Sequence, residues 1–220
     1  MNPSLPVDLL ADAGIDETRI AIAPGAVLLR KFAEHMATPM LAAIGQVITQ
    51  APMRHMYTPG GRRMSVAMSN CGTYGWVTDQ RGYRYTRTDP VSGKAWPPMP
   101  DVFREMARKA AEQAGYSDFN PDACLINRYM PGSRMALHQD KDEHDFSAPI
   151  VSMSFGLDAT FLFGGPRRTD RPQRIPLGHG DVLVWGGPSR LHYHGITPLA
   201  SGNHALTGDR RINLTLRRAR

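Results

Sequence analysis

His138-Gln139-Asp140 sets an imidazole and a carboxylate two residues apart. Side chains at that spacing project from one face of a strand, so both can reach one cation. A third ligand has to come from elsewhere, and His194 in His192-Tyr193-His194-Gly195 is the candidate. Two histidines and one carboxylate on one side of a metal leave open positions on the other, the arrangement used by non-haem Fe(II) oxygenases. The competing reading is that each histidine is an ordinary surface or packing residue, because short His-x-Asp matches recur without any metal.

A second constellation lies near the C-terminus. Arg211 to Arg217 alternates strictly, with Ile212, Leu214 and Leu216 on one face and Arg211, Asn213, Thr215 and Arg217 on the other. If the apolar face meets the core, two arginines and an asparagine share one space. Guanidinium groups hold carboxylates through paired N–H bonds, so that space suits a dicarboxylate. The alternative is an edge strand with a solvated basic face.

These residues need a frame. The chain has 220 residues, which fits one large domain. Its 21 glycines and 18 prolines predict many turns and short strands. A helix is expected over roughly 38–50, capped at Thr38-Pro39, with Leu41, Ile44 and Ile48 as its buried stripe. Residues 52–98, rich in Gly, Arg, Tyr and Met, read as hairpins and loops. A second helix should start near Pro100-Asp101, bury Phe103, Met106, Ala107 and Ala110, and end at Gly115. Beyond Ala123 the pattern is nearly all strand: 123–129, 135–139, 149–156, 159–163, 173–177, 181–185, 192–197 and 211–217. That count at that spacing indicates a sandwich or barrel. Residues 1–25 give no signal.

The formal charge of +6 favours a polyanionic partner. Arginines gather at Arg62, Arg63, Arg81, Arg84 and Arg87, and again at Arg167, Arg168, Arg171 and Arg174. Two cysteines, Cys71 and Cys124, are too few for a cysteine metal site and read as small buried hydrophobes. No run is long and apolar enough for a membrane helix. Met1 to Gly14 lacks the features of a signal peptide, so a cytoplasmic protein is expected, and with nothing in the sequence pointing to an oligomer a monomer is the default.

The stretches PDACLINRYMPGSRMALHQDKDE, GDVLVWGG, RLHYHGI and RINLTLR, with TPGGRRMSVAMSNCG and GWVTDQRGY, resemble the AlkB family of Fe(II)/2-oxoglutarate-dependent nucleic-acid demethylases. The similarity runs from about Ala21 to Arg218. It implies an α+β, mainly β fold: a double-stranded β-helix (jelly roll) core with N-terminal helices and a nucleotide-recognition lid. Within a single domain over 1–220, residues 1–51 would form an N-terminal extension, 52–98 the lid, and 99–220 a helix with the catalytic core. By the resemblance, His138, Asp140 and His194 hold Fe(II), and Asn127, Tyr129, Arg211, Asn213 and Arg217 bind 2-oxoglutarate. Trp76 stacks on the damaged base opposite His138. Asp142 reads its amino group, and Tyr83, Tyr85, Arg168, Thr58 and Met68 contact substrate.

The implied reaction is oxidative demethylation of N-alkylated bases of the 1-methyladenine and 3-methylcytosine type. It consumes 2-oxoglutarate and O2 and releases formaldehyde, succinate and CO2. Alkylated single-stranded DNA is the expected partner, with double-stranded DNA or RNA as further possibilities and no membrane. Two positions depart from the family pattern: His192 and Arg62 each replace an aromatic residue. Two other readings compete, a 2-oxoglutarate hydroxylase of a protein or small molecule and a non-catalytic binding module with a vestigial triad.

Overall fold

The computed structural model describes residues 18–220. In chain order the strands are β1 (Arg19–Ala23), β2 (Ala26–Leu29), β3 (Arg54–Tyr57), β4 (Arg63–Gly72), β5 (Gly75–Asp79), β6 (Gly82–Thr86), β7 (Ala123–Tyr129), β8 (Met135–His138), β9 (Ile150–Gly156), β10 (Ala159–Phe163), β11 (Gln173–Leu177), β12 (Val182–Trp185), β13 (His194–Ile196) and β14 (Arg211–Arg217). Two helices, α1 (Ala37–Gln50) and α2 (Asp101–Gln113), precede the strand-rich half.

Eight strands form the large sheet, in the order β1-β2-β12-β9-β14-β7-β4-β3. Four form a smaller sheet, β11-β10-β13-β8, and β5-β6 is a separate hairpin. One face of the large sheet packs on the helices through Val151, Met153, Leu214 and Leu216 against Phe103, Met106 and Ala107. Its other face meets the small sheet through Leu125, Tyr129, Leu183 and Trp185 against Phe161, Phe163 and Ile196. Two sheets closed face to face form a jelly roll, and β9 reads as an unbroken buried run because both of its faces are covered.

The strands expected beyond Ala123 form, and α2 buries the stripe assigned to it. At its end Gly115 takes φ +92, while the Tyr116 N–H donates to Ala111 O. This left-handed C-terminal turn is the one glycine favours. Three expectations change. Of the silent stretch 1–25, residues 1–17 lie outside the described residues, and in the remainder β1 pairs with β2 around Pro24-Gly25, with β2 extending the large sheet. Helix α1 starts at Ala37 after a 3₁₀ turn at Glu34–Met36, so Thr38 lies inside it and no side chain caps it. Its buried stripe is Met40, Ala43, Ile44 and Val47, with Leu41 and Ile48 at the margins. Finally, β14 is no edge strand: it pairs with β7 on one side and β9 on the other, and its basic face is buried.

Candidate active site

The β8–β13 ladder places His138 directly opposite His194, and Asp140 follows just past the end of β8. Gly195 makes this pairing possible. A Cβ there would stand 2.6 Å from Met135 O and drive the two strands apart. His138 Nε2 lies 3.7 Å from Asp140 Oδ1, and His194 Nε2 lies 3.7 Å from Asp140 Oδ2. The three ligand atoms all fall within 4.8 Å of one another.

Backbone carbonyls fix the tautomers of both rings. His138 Nδ1 sits 2.9 Å from Ala136 O, and His194 Nδ1 sits 3.0 Å from His192 O. A carbonyl only accepts, so each Nδ1 carries the proton and each Nε2 offers its lone pair toward Asp140. His179 is the contrast, since its Nδ1 accepts from the Gly156 N–H. Burial, with the neighbouring His138, pushes the His194 imidazole down to about 3. It is therefore neutral at pH 7, as a metal ligand must be. Burial alone would raise the Asp140 carboxyl. The Arg217 charge, then His194 and His138, outweigh it and hold the group well below the usual carboxylate range. Two imidazoles and one anion, with their ligand atoms converging, fit Fe(II).

The triad opens onto a recess lined by both sheets, which also includes Asn127, Tyr129, Phe161, Trp185, Arg211 and Asn213. Arg211 is 1% exposed. Its Nη2 donates to Ser154 Oγ at 3.0 Å, while its Nε and Nη1 have no hydrogen-bond partner, and neither has Asn127 Oδ1. The guanidinium carbon lies 5.1 Å from the centre of the Tyr129 ring. Asn213 is held by its Nδ2 donating to Ser152 Oγ and Met153 O, and its Oδ1 accepts from Thr215 Oγ1. A buried guanidinium with idle donors is costly unless an anion completes it. A carboxylate oxygen pair matches that fork, so the pocket fits one end of 2-oxoglutarate. Arg217, expected as the second anchor, also lines the recess and donates to Asp140 Oδ2 from Nε at 2.9 Å and Nη2 at 2.6 Å.

The residues expected to meet substrate divide. Trp76, half-buried on β5, donates its indole N–H to Asp142 Oδ2 at 2.8 Å and stacks on Tyr83 with ring centres 5.7 Å apart. Tyr83 is 49% exposed. Arg168 is exposed over Tyr193. Thr58 accepts from the Arg62 N–H and closes the turn between β3 and β4. Two expected contacts are corrected. Tyr85 is buried, and its hydroxyl donates to Glu143 Oε1 at 2.6 Å, so it has no face for a ligand. Met68 is fully buried in the core between the sheets and does not line the recess. The departure at His192 is resolved in part. Its ring packs 5.4 Å from Phe163, and it serves the site through its backbone carbonyl.

One buried pair escapes the sequence patterns. Glu143 and Arg190 form a buried ion pair at 3.1 Å, and Arg190 Nη1 also donates to the Asp140 carbonyl at 2.8 Å.

The fold and site define a 2-oxoglutarate/Fe(II) oxygenase, and the family model described as the 2OG-Fe(II) oxygenase superfamily matches residues 25–217. The chain is 56% identical over 213 residues to the alpha-ketoglutarate-dependent dioxygenase AlkB of Salmonella typhimurium, covering 97% of this chain and 98% of that one. It is 31% identical to the DNA N(6)-methyladenine demethylase ALKBH1C of Arabidopsis thaliana, over 89% of this chain and 49% of that one. The solved structure of OsALKBH1 superposes with a TM-score of 0.81 at 28% identity, covering 91% of this chain and 99% of that one. The chain belongs to the AlkB family of Fe(II)/2-oxoglutarate-dependent dioxygenases.

Proposed function

We propose that the chain removes N-alkyl groups from damaged bases in DNA, as a direct repair enzyme. The observation that carries this reading is the Trp76–Tyr83 stack, tied by the indole N–H to Asp142, two residues from the iron carboxylate Asp140. An aromatic plate of this kind suits a flat base taken out of its stack, which chemistry on a base requires. The Asp142 carboxylate, held in place by Trp76, offers an acceptor and a negative charge to a cationic alkylated base. Arg62, Arg63, Arg81 and Arg168 are exposed and available to phosphates.

On this reading residues 52–98 form the nucleotide-recognition lid. His138, Asp140 and His194 hold Fe(II), and Arg211, Asn127, Tyr129, Asn213 and Arg217 hold 2-oxoglutarate. Iron held there would supply the oxidising chemistry, with 2-oxoglutarate and O2 consumed, succinate and CO2 formed, and the N-methyl carbon leaving as formaldehyde. The protein's own part is to orient and to exclude water. Phe161 and Trp185 wall the recess with apolar surface. The preferred substrate is alkylated single-stranded DNA, with double-stranded DNA and RNA as further substrates, and the enzyme acts as a cytoplasmic monomer. Among the described residues no helix is long and apolar enough to cross a membrane.

The test is one incubation of protein, Fe(II), ascorbate, 2-oxoglutarate and air with a short single strand carrying one 1-methyladenine. Mass spectrometry of the strand should show loss of one methylene mass, dependent on both Fe(II) and 2-oxoglutarate. Succinate without change in the strand would move the substrate to a protein or small molecule. Neither product from folded, iron-loaded protein would overturn the catalytic reading.

A further inference from the structure

The iron carboxylate belongs to a closed set of four buried charges. Asp140 accepts twice from Arg217, and Arg217 Nε also lies 3.5 Å from Glu143 Oε1. Glu143 Oε2 accepts from Arg190 Nη2, and Arg190 in turn grips the carbonyls of Asp140 and Ala148. The side chains of Glu143 and Arg190 are 2% and 3% exposed. Two anions and two cations balance, so the set is neutral before any metal arrives.

A metal changes that balance. Both Arg217 bonds fall on Asp140 Oδ2, so Oδ1 is left to face a metal, but a dication there repels the guanidinium. Arg217 can stay buried beside the metal only if a second anion holds it. Glu143 is that anion, and its own place is set from two directions. Arg190 fixes Oε2, and the Tyr85 hydroxyl on β6 fixes Oε1 at 2.6 Å. Hairpin β5-β6, which carries Trp76 and Tyr83, is thereby joined to the iron carboxylate through Tyr85, Glu143 and Arg217.

We propose that Glu143, fixed by Arg190 and Tyr85, is a positioning residue that holds Arg217 on Asp140 Oδ2 when a metal binds, so that the carboxylate presents Oδ1 to iron. The inference rests on the assignment of Asp140 as iron ligand within the proposed function. It does not depend on which substrate is repaired.

The experiment is an anaerobic titration of the full chain with Co(II), an oxygen-stable stand-in for Fe(II), with and without 2-oxoglutarate, followed by visible absorption. Thermal melting runs in parallel. Glu143→Gln keeps the shape and removes the charge, and it should weaken Co(II) binding about tenfold, as loss of such outer partners commonly does. Glu143→Asp, which restores the charge, should recover part of the loss. A folded Glu143→Gln that melts lower but binds Co(II) like the parent overturns the proposal and leaves Glu143 a purely structural residue. If Glu143→Gln does not fold, Tyr85→Phe decides, because it removes one bond to Glu143 and no charge. A several-fold weaker Co(II) affinity in Tyr85→Phe supports the proposal, and an unchanged affinity overturns it. Failure of Asp140→Ala to weaken Co(II) binding would instead sink the ligand assignment, a separate outcome.

Discussion

The indole N–H of Trp76 reaches across from the β5-β6 hairpin to Asp142, 66 residues later, and closes a 2.8 Å hydrogen bond. The bond ties the aromatic plate to the loop that follows the metal ligand. On the proposed function, a base lying on Trp76 would be registered against the metal site by the same carboxylate that would recognise it. Stacking on such a plate contributes about 1–3 kcal/mol per base. Trp76→Ala should lose that much affinity for a single strand carrying 1-methyladenine, measured by fluorescence anisotropy. Its 2-oxoglutarate affinity should stay unchanged. Asp142→Ala should weaken binding of the cationic 1-methyladenine strand more than binding of a strand with a neutral etheno adduct. Equal losses on both would remove the electrostatic role of Asp142.

Arg211 presents the opposite economy of stability and function. Its buried guanidinium leaves Nε and Nη1 without partners until a carboxylate arrives. Arg211→Met fills similar volume without a charge, and such replacements often stabilise by about 1–4 kcal/mol. The metal-free variant should therefore unfold at higher urea than the parent. Adding 2-oxoglutarate with a non-reactive metal should stabilise the parent by about 2.7 kcal/mol at a hundred times the Kd, by mass action, and should do nothing for the variant. A parent indifferent to 2-oxoglutarate would remove Arg211 from the pocket.

The legible parts of this chain are those in which local pattern and tertiary role agree. Strands β7, β10, β11 and β14 alternate or sit between clear turns, and they form with the expected bounds. The triad was legible because strand spacing alone puts His138 and Asp140 together. The solvated reading of β14 failed because a period of two shows which residues share a face, and the covering layer decides whether that face is wet. The Glu143–Arg190 pair was not legible for a different reason. Glu143 stands in Asp140-Lys141-Asp142-Glu143-His144, which reads as a charged loop, and its partner lies 47 residues away. Only the close approach of those loops turns a surface-like residue into a buried anion.

Asp140 carries two duties that one substitution separates. As the only anionic member of the triad it is needed for iron, so Asp140→Ala should abolish turnover. It also neutralises Arg217, whose side chain is 7% exposed. Breaking a buried ion pair costs about 3–5 kcal/mol, and the lower end applies here because Glu143 still faces Arg217. Denaturation of the metal-free variant should show a loss of about 3 kcal/mol. Arg217→Ala combined with Asp140→Ala should recover much of that loss, because no unpaired guanidinium remains. A double variant less stable than Asp140→Ala would contradict the pairing.

His194 makes the metal-free protein sensitive to mild acid. In the native state burial and His138 keep its imidazole unprotonated down to about pH 3, against 6.5 for an unperturbed side chain. Between those values the unfolded chain binds the proton and the native chain does not, so stability rises with pH and is lost on acidification. At 1.36 kcal/mol per unit, lowering the pH from 7 to 5 should cost about 2 kcal/mol from this group alone. Asp140 does not offset the loss in that window. Its depressed carboxyl gives its full contribution at every pH above the ordinary carboxylate range and begins to lose it only below about pH 4. Urea denaturation in the presence of a chelator at pH 7 and pH 5 measures the difference, and His194→Asn should flatten the profile by the same amount. A His194→Asn profile as steep as the parent's would place the acid sensitivity elsewhere in the fold.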